Sequence, residues 1–187
     1  MRIALSLGSG GARGYAHIGV IQELHARGHE VVAIAGTSMG ALVGGLEAAG
    51  RLSDYADWVS GLTQRDVLML LDPTLTGPGV FWGQRVMTRV ADILDGAQIE
   101  DLPVAFTAVA TDLTNRREVW FQRGSVATAI RASIGIPGVF TPVMVDGRLL
   151  ADGGLLNPVP VDPLHGVPAD RTIAVSLAGR RAGSLTG

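Results

Sequence analysis

Residues 31–40 run from an apolar segment into a turn that carries one serine: Val31-Val32-Ala33-Ile34-Ala35-Gly36-Thr37-Ser38-Met39-Gly40. The apolar segment predicts a buried strand, and the next residues, 41–49, predict a helix. A serine between two glycines at a strand-to-helix turn is the G-x-S-x-G nucleophile elbow. The glycines are required because a side chain at either position would collide with the neighbouring strand or helix. The segment therefore predicts an α/β fold in which the serine hydroxyl projects above the sheet.

Two interpretations of Ser38 follow from this segment. As the nucleophile of a serine hydrolase, Ser38 would sit in a strained turn beside the first N–H groups of the helix. As a structural residue, it would simply cap the helix, since serine is favoured at helix starts and in turns. The pentapeptide supports both interpretations equally, so other residues have to decide between them.

The composition is that of one α/β domain spanning residues 1–187. The chain is 47% hydrophobic and 17% charged and contains 26 glycines, which suits strands buried on both faces. The net charge of −2 gives no electrostatic basis for binding nucleic acid. The absence of cysteine excludes disulfides, thiol catalysis and cysteine-based metal sites.

No segment predicts a leader or a membrane span. The apolar part of residues 1–7 is too short for a signal peptide. Residues 31–50 approach the length of a membrane span, but Gly36 and Gly40 interrupt them, and the strand-elbow-helix interpretation explains them better. We expect a soluble, cytoplasmic protein, with transient peripheral contact at a membrane as a further expectation.

Strands and helices are predicted to alternate along most of the chain. Strands are predicted at 3–7, 31–35, 104–111, 118–122, 142–145, 148–151 and 172–177, and helices at 15–27, 39–49, 52–71, 83–94 and 126–132. Asp146-Gly147 predicts a hairpin turn. The alternation implies a three-layer α/β/α fold with a mostly parallel sheet and a site at the carboxyl ends of its strands.

A glycine-rich loop, Gly8-Ser9-Gly10-Gly11-Ala12-Arg13-Gly14, follows the first predicted strand. Its backbone N–H groups could bind a phosphate or the oxyanion of an acyl intermediate. The dinucleotide pattern G-x-G-x-x-G fails because Arg13 stands where the third glycine is needed, and no acidic residue ends the second strand. A plain tight turn would explain the glycines but not the elbow that follows. An oxyanion hole is therefore the favoured interpretation.

Ser38 needs a base, and Asp152 is a better candidate than any histidine. The four histidines are His17, His25, His29 and His165, and none follows a late strand, where a triad histidine belongs. Asp152 ends a predicted strand and precedes two glycines that allow close backbone approach. The alternative is an ordinary turn aspartate. As a base, its carboxylate would lie about 2.6–3.2 Å from the serine hydroxyl.

Four blocks stand in order along the chain: Gly10-Gly11-Ala12-Arg13-Gly14, Gly36-Thr37-Ser38-Met39-Gly40, Ala132-Ser133-Ile134-Gly135-Ile136-Pro137 and Asp152-Gly153-Gly154. Together they resemble the patatin-like phospholipase family, specifically its small single-domain bacterial members. The resemblance extends from Leu5 to about Leu177. Family members often continue past this point, so the chain is expected to be either a short natural form or a truncated one. An uncovered apolar face would then support a homodimer.

The resemblance implies a Ser-Asp dyad that hydrolyses lipid acyl esters through an acyl-serine intermediate, with no metal or organic cofactor. Ser38 would be the nucleophile and Asp152 the general base. The N–H groups around Gly10, Gly11 and Ala12 would form the oxyanion hole. Arg13 would fix that loop and meet an anionic head group. Residues 133–137 would form a wall of the site.

Two other functions remain open at this point. An acyltransferase or thioesterase could use the same kind of elbow, although acyltransferases with such an elbow rely on a histidine partner that is not evident here. A non-catalytic module could bind an anion or lipid in the glycine loop. Residues 66–83 are apolar and contain a Gly-Pro-Gly loop, so they predict either a mobile lid or ordinary core packing.

Overall fold

The computed structural model describes residues 1–62, 79–135 and 142–178. The strands are β1 (Arg2–Leu7), β2 (Glu30–Thr37), β3 (Ala105–Asp112), β4 (Arg117–Phe121), β5 (Val143–Val145), β6 (Arg148–Asp152) and β7 (Arg171–Val175). The helices are α1 (Ala16–Ala26), α2 (Met39–Ala48), α3 (Leu52–Ser60), α4 (Gly79–Leu94) and α5 (Val126–Ser133). Short 3-10 turns lie at Gly11–Tyr15, Ile99–Asp101, Gly153–Leu155 and Asp162–Leu164.

The seven strands form one sheet in the order β5-β6-β3-β2-β1-β7, with β4 also paired to β3. The pairs β7–β1, β1–β2 and β2–β3 are parallel. β4 and β6 run antiparallel to β3, and β5 runs antiparallel to β6. Five of these seven strands therefore point in one direction, and their carboxyl ends meet at one edge of the sheet.

The two faces of the sheet carry side chains of different size. Leu5, Leu7 and Ile34 point to one face and belong to the main apolar core, to which all five helices contribute buried residues. Ala4, Ala33 and Ala35 point to the other face, where Leu164 and the partly buried Val167 pack on them. Small side chains on this second face let the segment that contains Leu164 and Val167 approach the strands closely.

The predicted α/β class with a mostly parallel sheet is confirmed, and most element boundaries agree within two residues. Two helices differ from the prediction. The helix predicted at 83–94 begins at Gly79, and the helix predicted at 52–71 ends at Ser60. Residues 63–78, which hold most of the predicted lid, lie outside the described residues.

The segment of near-membrane length, residues 31–50, is divided between β2, the elbow and α2. Across the ranges that the structure describes, no helix is both long and apolar enough to cross a bilayer. The strand-elbow-helix interpretation of this segment is therefore confirmed.

Candidate active site

The elbow holds Ser38 in a backbone conformation that non-glycine residues rarely adopt, with φ 57° and ψ −123°. Such a conformation costs about 1–3 kcal/mol and persists only where the surrounding structure imposes it. Ser38 occupies the N-cap position of α2, yet its side chain makes no capping hydrogen bond. The hydroxyl is thus available for another partner, which counts against a purely structural role as a helix cap.

The two elbow glycines sit where no side chain fits. A Cβ at Gly36 would lie 2.4 Å from the carbonyl oxygen of Gly40, and a Cβ at Gly40 would lie 2.0 Å from that of Leu7. Both obstacles are backbone atoms, which cannot rotate away as a side chain could. The collision expected from the sequence is therefore confirmed. Because Gly40 has no side chain, α2 can pack directly against the end of β1.

We predict that Gly40→Ala destabilises the protein by about 3 kcal/mol and lowers Tm by about 6–12 °C. The added methyl group has to displace the Leu7 carbonyl at the end of β1. Gly19→Ala in α1 is the matched control, because a Cβ there meets nothing within 4 Å and alanine favours the helix. Thermal unfolding of both variants checks this; equal Tm values would refute the close packing.

Strand register brings Ser38 and Asp152 together. β2 ends with Thr37 opposite Val109, and β6 ends with Asp152 opposite Ala110. β4 pairs with the same part of β3 from one side, so β2 and β6 must share the other side. They run toward each other along it and end at consecutive residues of β3. Ser38, the residue after β2, thus lies next to Asp152, the last residue of β6.

The Ser38 hydroxyl lies close enough to the Asp152 carboxylate to act on it as a hydrogen-bond donor. Both residues are nearly inaccessible, with Ser38 2% and Asp152 6% exposed. Burial raises the pKa of Asp152, while the hydrogen bonds from Ser38 and from the Gly154 N–H act to lower it. A carboxylate with a raised pKa is a stronger base than an ordinary aspartate, which suits it to accept a proton from a hydroxyl.

Asp152 also makes the turn contact that the alternative interpretation predicted. Its Oδ1 accepts a hydrogen bond of 2.7 Å from the N–H of Gly154. A Cβ at Gly153 would lie 2.1 Å from the carbonyl oxygen of Val109, so only glycine lets the turn pass this close to β3. The turn contact and the serine contact coexist, because the turn holds the carboxylate in place against the elbow.

The glycine loop lies between the elbow and the aspartate turn. The N–H of Gly8 donates to Val175 and that of Ser9 to Pro158, which ties the loop to neighbouring segments. A Cβ at Gly14 would lie 2.3 Å from the Cβ of Met39, so the loop also packs on the elbow helix. A Cβ at Gly154 would lie 3.1 Å from the Ser9 hydroxyl oxygen.

The N–H groups of Gly10, Gly11 and Ala12 donate to no acceptor within the described residues. The N–H of Met39, the residue after the serine, is likewise without an acceptor in that part of the chain. Unpaired backbone donors beside a serine hydroxyl are what an oxyanion hole requires. The oxyanion role predicted for the glycine loop agrees with this placement and stays a prediction.

Among the described residues, the Arg13 side chain has no partner that would hold the loop. The guanidinium is exposed and forms no hydrogen bond or ion pair within residues 1–62, 79–135 and 142–178. Its backbone N–H donates to the Gly10 carbonyl, as any residue at this position of a tight turn could. The structure thus shows no contact for the expected loop-fixing role, and contact with an anionic head group stays a prediction.

All four histidines lie within the described residues, and none hydrogen-bonds to Ser38 or Asp152. His17 is fully buried and contacts the Gly8 carbonyl through Nε2 at 2.7 Å, and burial lowers its pKa. His25 pairs with Glu47 on the surface. In the described part of the chain, no three His, Asp or Glu side chains are grouped to hold a metal ion.

Ser133 is a contact of the elbow that the sequence did not identify by itself. Its hydroxyl accepts a hydrogen bond of 2.8 Å from the Ser38 N–H and donates one of 2.6 Å to the Val109 carbonyl. The third sequence block was expected to form a wall of the site, and Ile136 and Pro137 of that block lie outside the described residues. The only available signal was the position of this serine in that block.

Comparison with known proteins supports the α/β fold described above and the family resemblance noted in the sequence. The family model described as patatin-like phospholipase matches residues 5–165. In solved structures, the chain is similar to VipD from Legionella pneumophila with a TM-score of 0.59 and 20% identity. That match covers 85% of this chain and 46% of VipD, and it bears on the fold alone.

Curated relatives extend the match over nearly the whole chain. A Mycobacterium tuberculosis protein named as an uncharacterized NTE family protein is 59% identical over 97% of this chain, which spans 51% of that relative. The mouse patatin-like phospholipase domain-containing protein 7 is 35% identical over 98% of this chain and 14% of its own length. The Drosophila melanogaster neuropathy target esterase sws is 32% identical over 98% and 13%. The chain thus spans about half the length of the first of these relatives, and it belongs to the patatin-like phospholipase family.

Proposed function

We propose that this chain is a serine lipid acyl hydrolase that works through a Ser38–Asp152 dyad. The observation that carries the proposal is the placement of a strained elbow serine beside a buried carboxylate, which the register of β2 and β6 along β3 brings about. No histidine hydrogen-bonds to either residue, so the carboxylate is the only base in contact with the serine among the described residues. A fully structural serine would have no need of this partner.

In the first half-reaction, the Ser38 hydroxyl oxygen attacks the ester carbonyl carbon while Asp152 takes the hydroxyl proton. The carbonyl oxygen gains negative charge and points into the glycine loop, where the N–H groups of Gly10, Gly11 and Ala12 stabilise it. The tetrahedral intermediate then collapses. Asp152 returns the proton to the departing alcohol, and the acyl group stays on Ser38.

In the second half-reaction, water attacks the acyl-serine carbonyl carbon. Asp152 takes a proton from that water and later returns it to the Ser38 oxygen as the carboxylic acid departs. One carboxylate therefore serves as acid and base in both halves. Its raised pKa helps in this exchange because proton transfer in each direction is then closer to balanced.

A lipid ester is supported as the substrate class by family membership and by the surface beside the dyad. Leu155 and Leu156 follow the aspartate turn directly and are 53% and 47% exposed. Two adjacent exposed leucines give an apolar edge on which an acyl chain can rest. The relative from Drosophila carries the word esterase in its name, which is consistent with an ester substrate here.

Labelling with a fluorophosphonate tests the proposal directly. We expect the wild-type protein to gain one adduct, located on Ser38 by peptide mass spectrometry, because the reagent modifies only a serine activated by a base and an oxyanion hole. Ser38→Ala should gain none. Ser60→Ala removes an exposed serine at the end of α3 and should label like the wild type.

Two results would contradict the proposal. An unlabelled wild-type protein would favour a non-catalytic module that binds an anion or lipid in the glycine loop. A labelled protein that passes the acyl group to an added alcohol faster than to water would favour an acyltransferase. Release of free fatty acid and transfer to the alcohol are measured in the same reaction.

A further inference from the structure

We propose that Ser133 is a positioning residue that sets the location of the nucleophile, an inference that rests on the proposed function of Ser38. Ser133 lies at the end of α5, is fully buried, and contacts no reacting group. Its hydroxyl bridges the N–H of Ser38 and the carbonyl of Val109. This is the only hydrogen bond that the Ser38 N–H makes within the described residues.

The bridge stands where the parallel ladder between β2 and β3 stops. Thr37 and Val109 form the last registered pair of the two strands. In a parallel ladder, the N–H of the residue after Thr37 would next bond to the carbonyl of Val109. The Ser133 hydroxyl instead accepts from that N–H and donates to that carbonyl. It is therefore a one-atom spacer between the strands at the point where the chain turns.

The spacer has a consequence for the position of the Ser38 hydroxyl. A direct bond between the Ser38 N–H and the Val109 carbonyl would draw the elbow toward β3, on the side where Gly153 leaves no room for a side chain beside that carbonyl. Asp152 is fixed to β3 opposite Ala110 and would not follow. The distance from serine to aspartate thus depends on the spacer, and a displacement of about 1 Å in an active site lowers rates by about 10²-fold.

Ser133→Ala tests the inference against Ser6→Ala, a matched control. Ser6 is also fully buried and its hydroxyl also donates to a backbone carbonyl, that of Pro160 at 2.8 Å, but it does not contact the elbow. Both variants should lose about 2–8 °C in Tm. Only Ser133→Ala should lower the fluorophosphonate labelling rate and kcat, by about 10²-fold, with KM changed little. Ser133→Thr keeps the hydroxyl and should restore most of the rate.

Hydrogen–deuterium exchange reports on the bridge without any need for activity. Peptides that contain Ser38 should exchange faster in Ser133→Ala than in the wild type, and should be unchanged in Ser6→Ala. If the alanine variant does not fold, Ser133→Cys replaces it, since a thiol is a weak acceptor of similar shape. A wild-type protein that is not labelled would refute the proposed hydrolase function but not the role of Ser133 in the elbow. Equal exchange and equal labelling in Ser133→Ala and Ser6→Ala would refute the role of Ser133.

Discussion

Ser38→Ala should lower ester hydrolysis by about 10³–10⁶-fold and leave the fold unchanged. In the proposed mechanism, the substitution removes the atom that forms the acyl bond, so any remaining turnover would come from the proposed oxyanion donors and substrate binding. Ser38 makes no capping bond through its side chain, so α2 loses no cap, and the stability cost is that of one donor to the buried Asp152 carboxylate, about 1–3 kcal/mol. Hydrolysis of a chromogenic short-chain ester, with Tm measured on the same samples, checks both parts.

Ser38→Gly is a second variant that separates catalysis from strain. Glycine adopts φ 57° freely, whereas alanine keeps the strain. This variant should therefore be as inactive as Ser38→Ala and more stable than Ser38→Ala by about 1–3 kcal/mol, or about 2–12 °C in Tm. A serine retained at a cost in stability is what a functional role predicts. Hydrolysis by either variant at the wild-type rate would remove Ser38 from the mechanism.

Much of the site could be predicted because its chemistry lies in short local motifs. The glycines around Ser38 indicate a sharp turn, because a side chain at either position would collide with nearby backbone. The Asp-Gly-Gly turn after a strand reports a close backbone approach in the same way. The absence of a suitably placed histidine then left Asp152 as the candidate base, and the structure places its carboxylate beside the Ser38 hydroxyl.

The remainder could not be predicted because it depends on contacts between distant segments. The head-to-head meeting of β2 and β6 along β3 is a property of strand register, which no local pattern encodes. The Ser133 bridge joins residues 95 positions apart in the sequence. The contact between His17 and the Gly8 carbonyl likewise depends on the fold. In each case, the local sequence identifies the residue, but its contact partner depends on tertiary packing.

The raised pKa of Asp152 has opposite effects on activity and on stability. Burial disfavours the ionised carboxylate in the folded protein, so the pKa lies above 3.8, the ordinary value for aspartic acid. The proposed mechanism requires the ionised form, so kcat/KM should fall as the pH drops through this raised pKa. The stability contribution of the group is present in full below the unfolded-state pKa. It is lost as the pH rises through the folded-state pKa.

Asp152→Asn should therefore lower hydrolysis by about 10²–10⁴-fold and, at neutral pH, raise Tm above that of the wild type. The amide has nearly the shape of the carboxylate and its oxygen can still accept from the Gly154 N–H, but it cannot take a proton from Ser38. It also carries no buried charge, so the wild type's loss of stability at rising pH should be absent.

The pH series is what makes this second prediction specific to Asp152. The Tm difference between Asp152→Asn and the wild type should shrink as the pH falls below the raised pKa, because the wild-type carboxyl is then neutral as well. Asp146→Asn, in the exposed hairpin turn between β5 and β6, is the control and should keep the wild-type rate and acid limb. A wild-type rate in Asp152→Asn would show that Ser38 uses another base. A Tm below that of the wild type at neutral pH would show that the ionised carboxylate is stabilised by its contacts more than burial disfavours it.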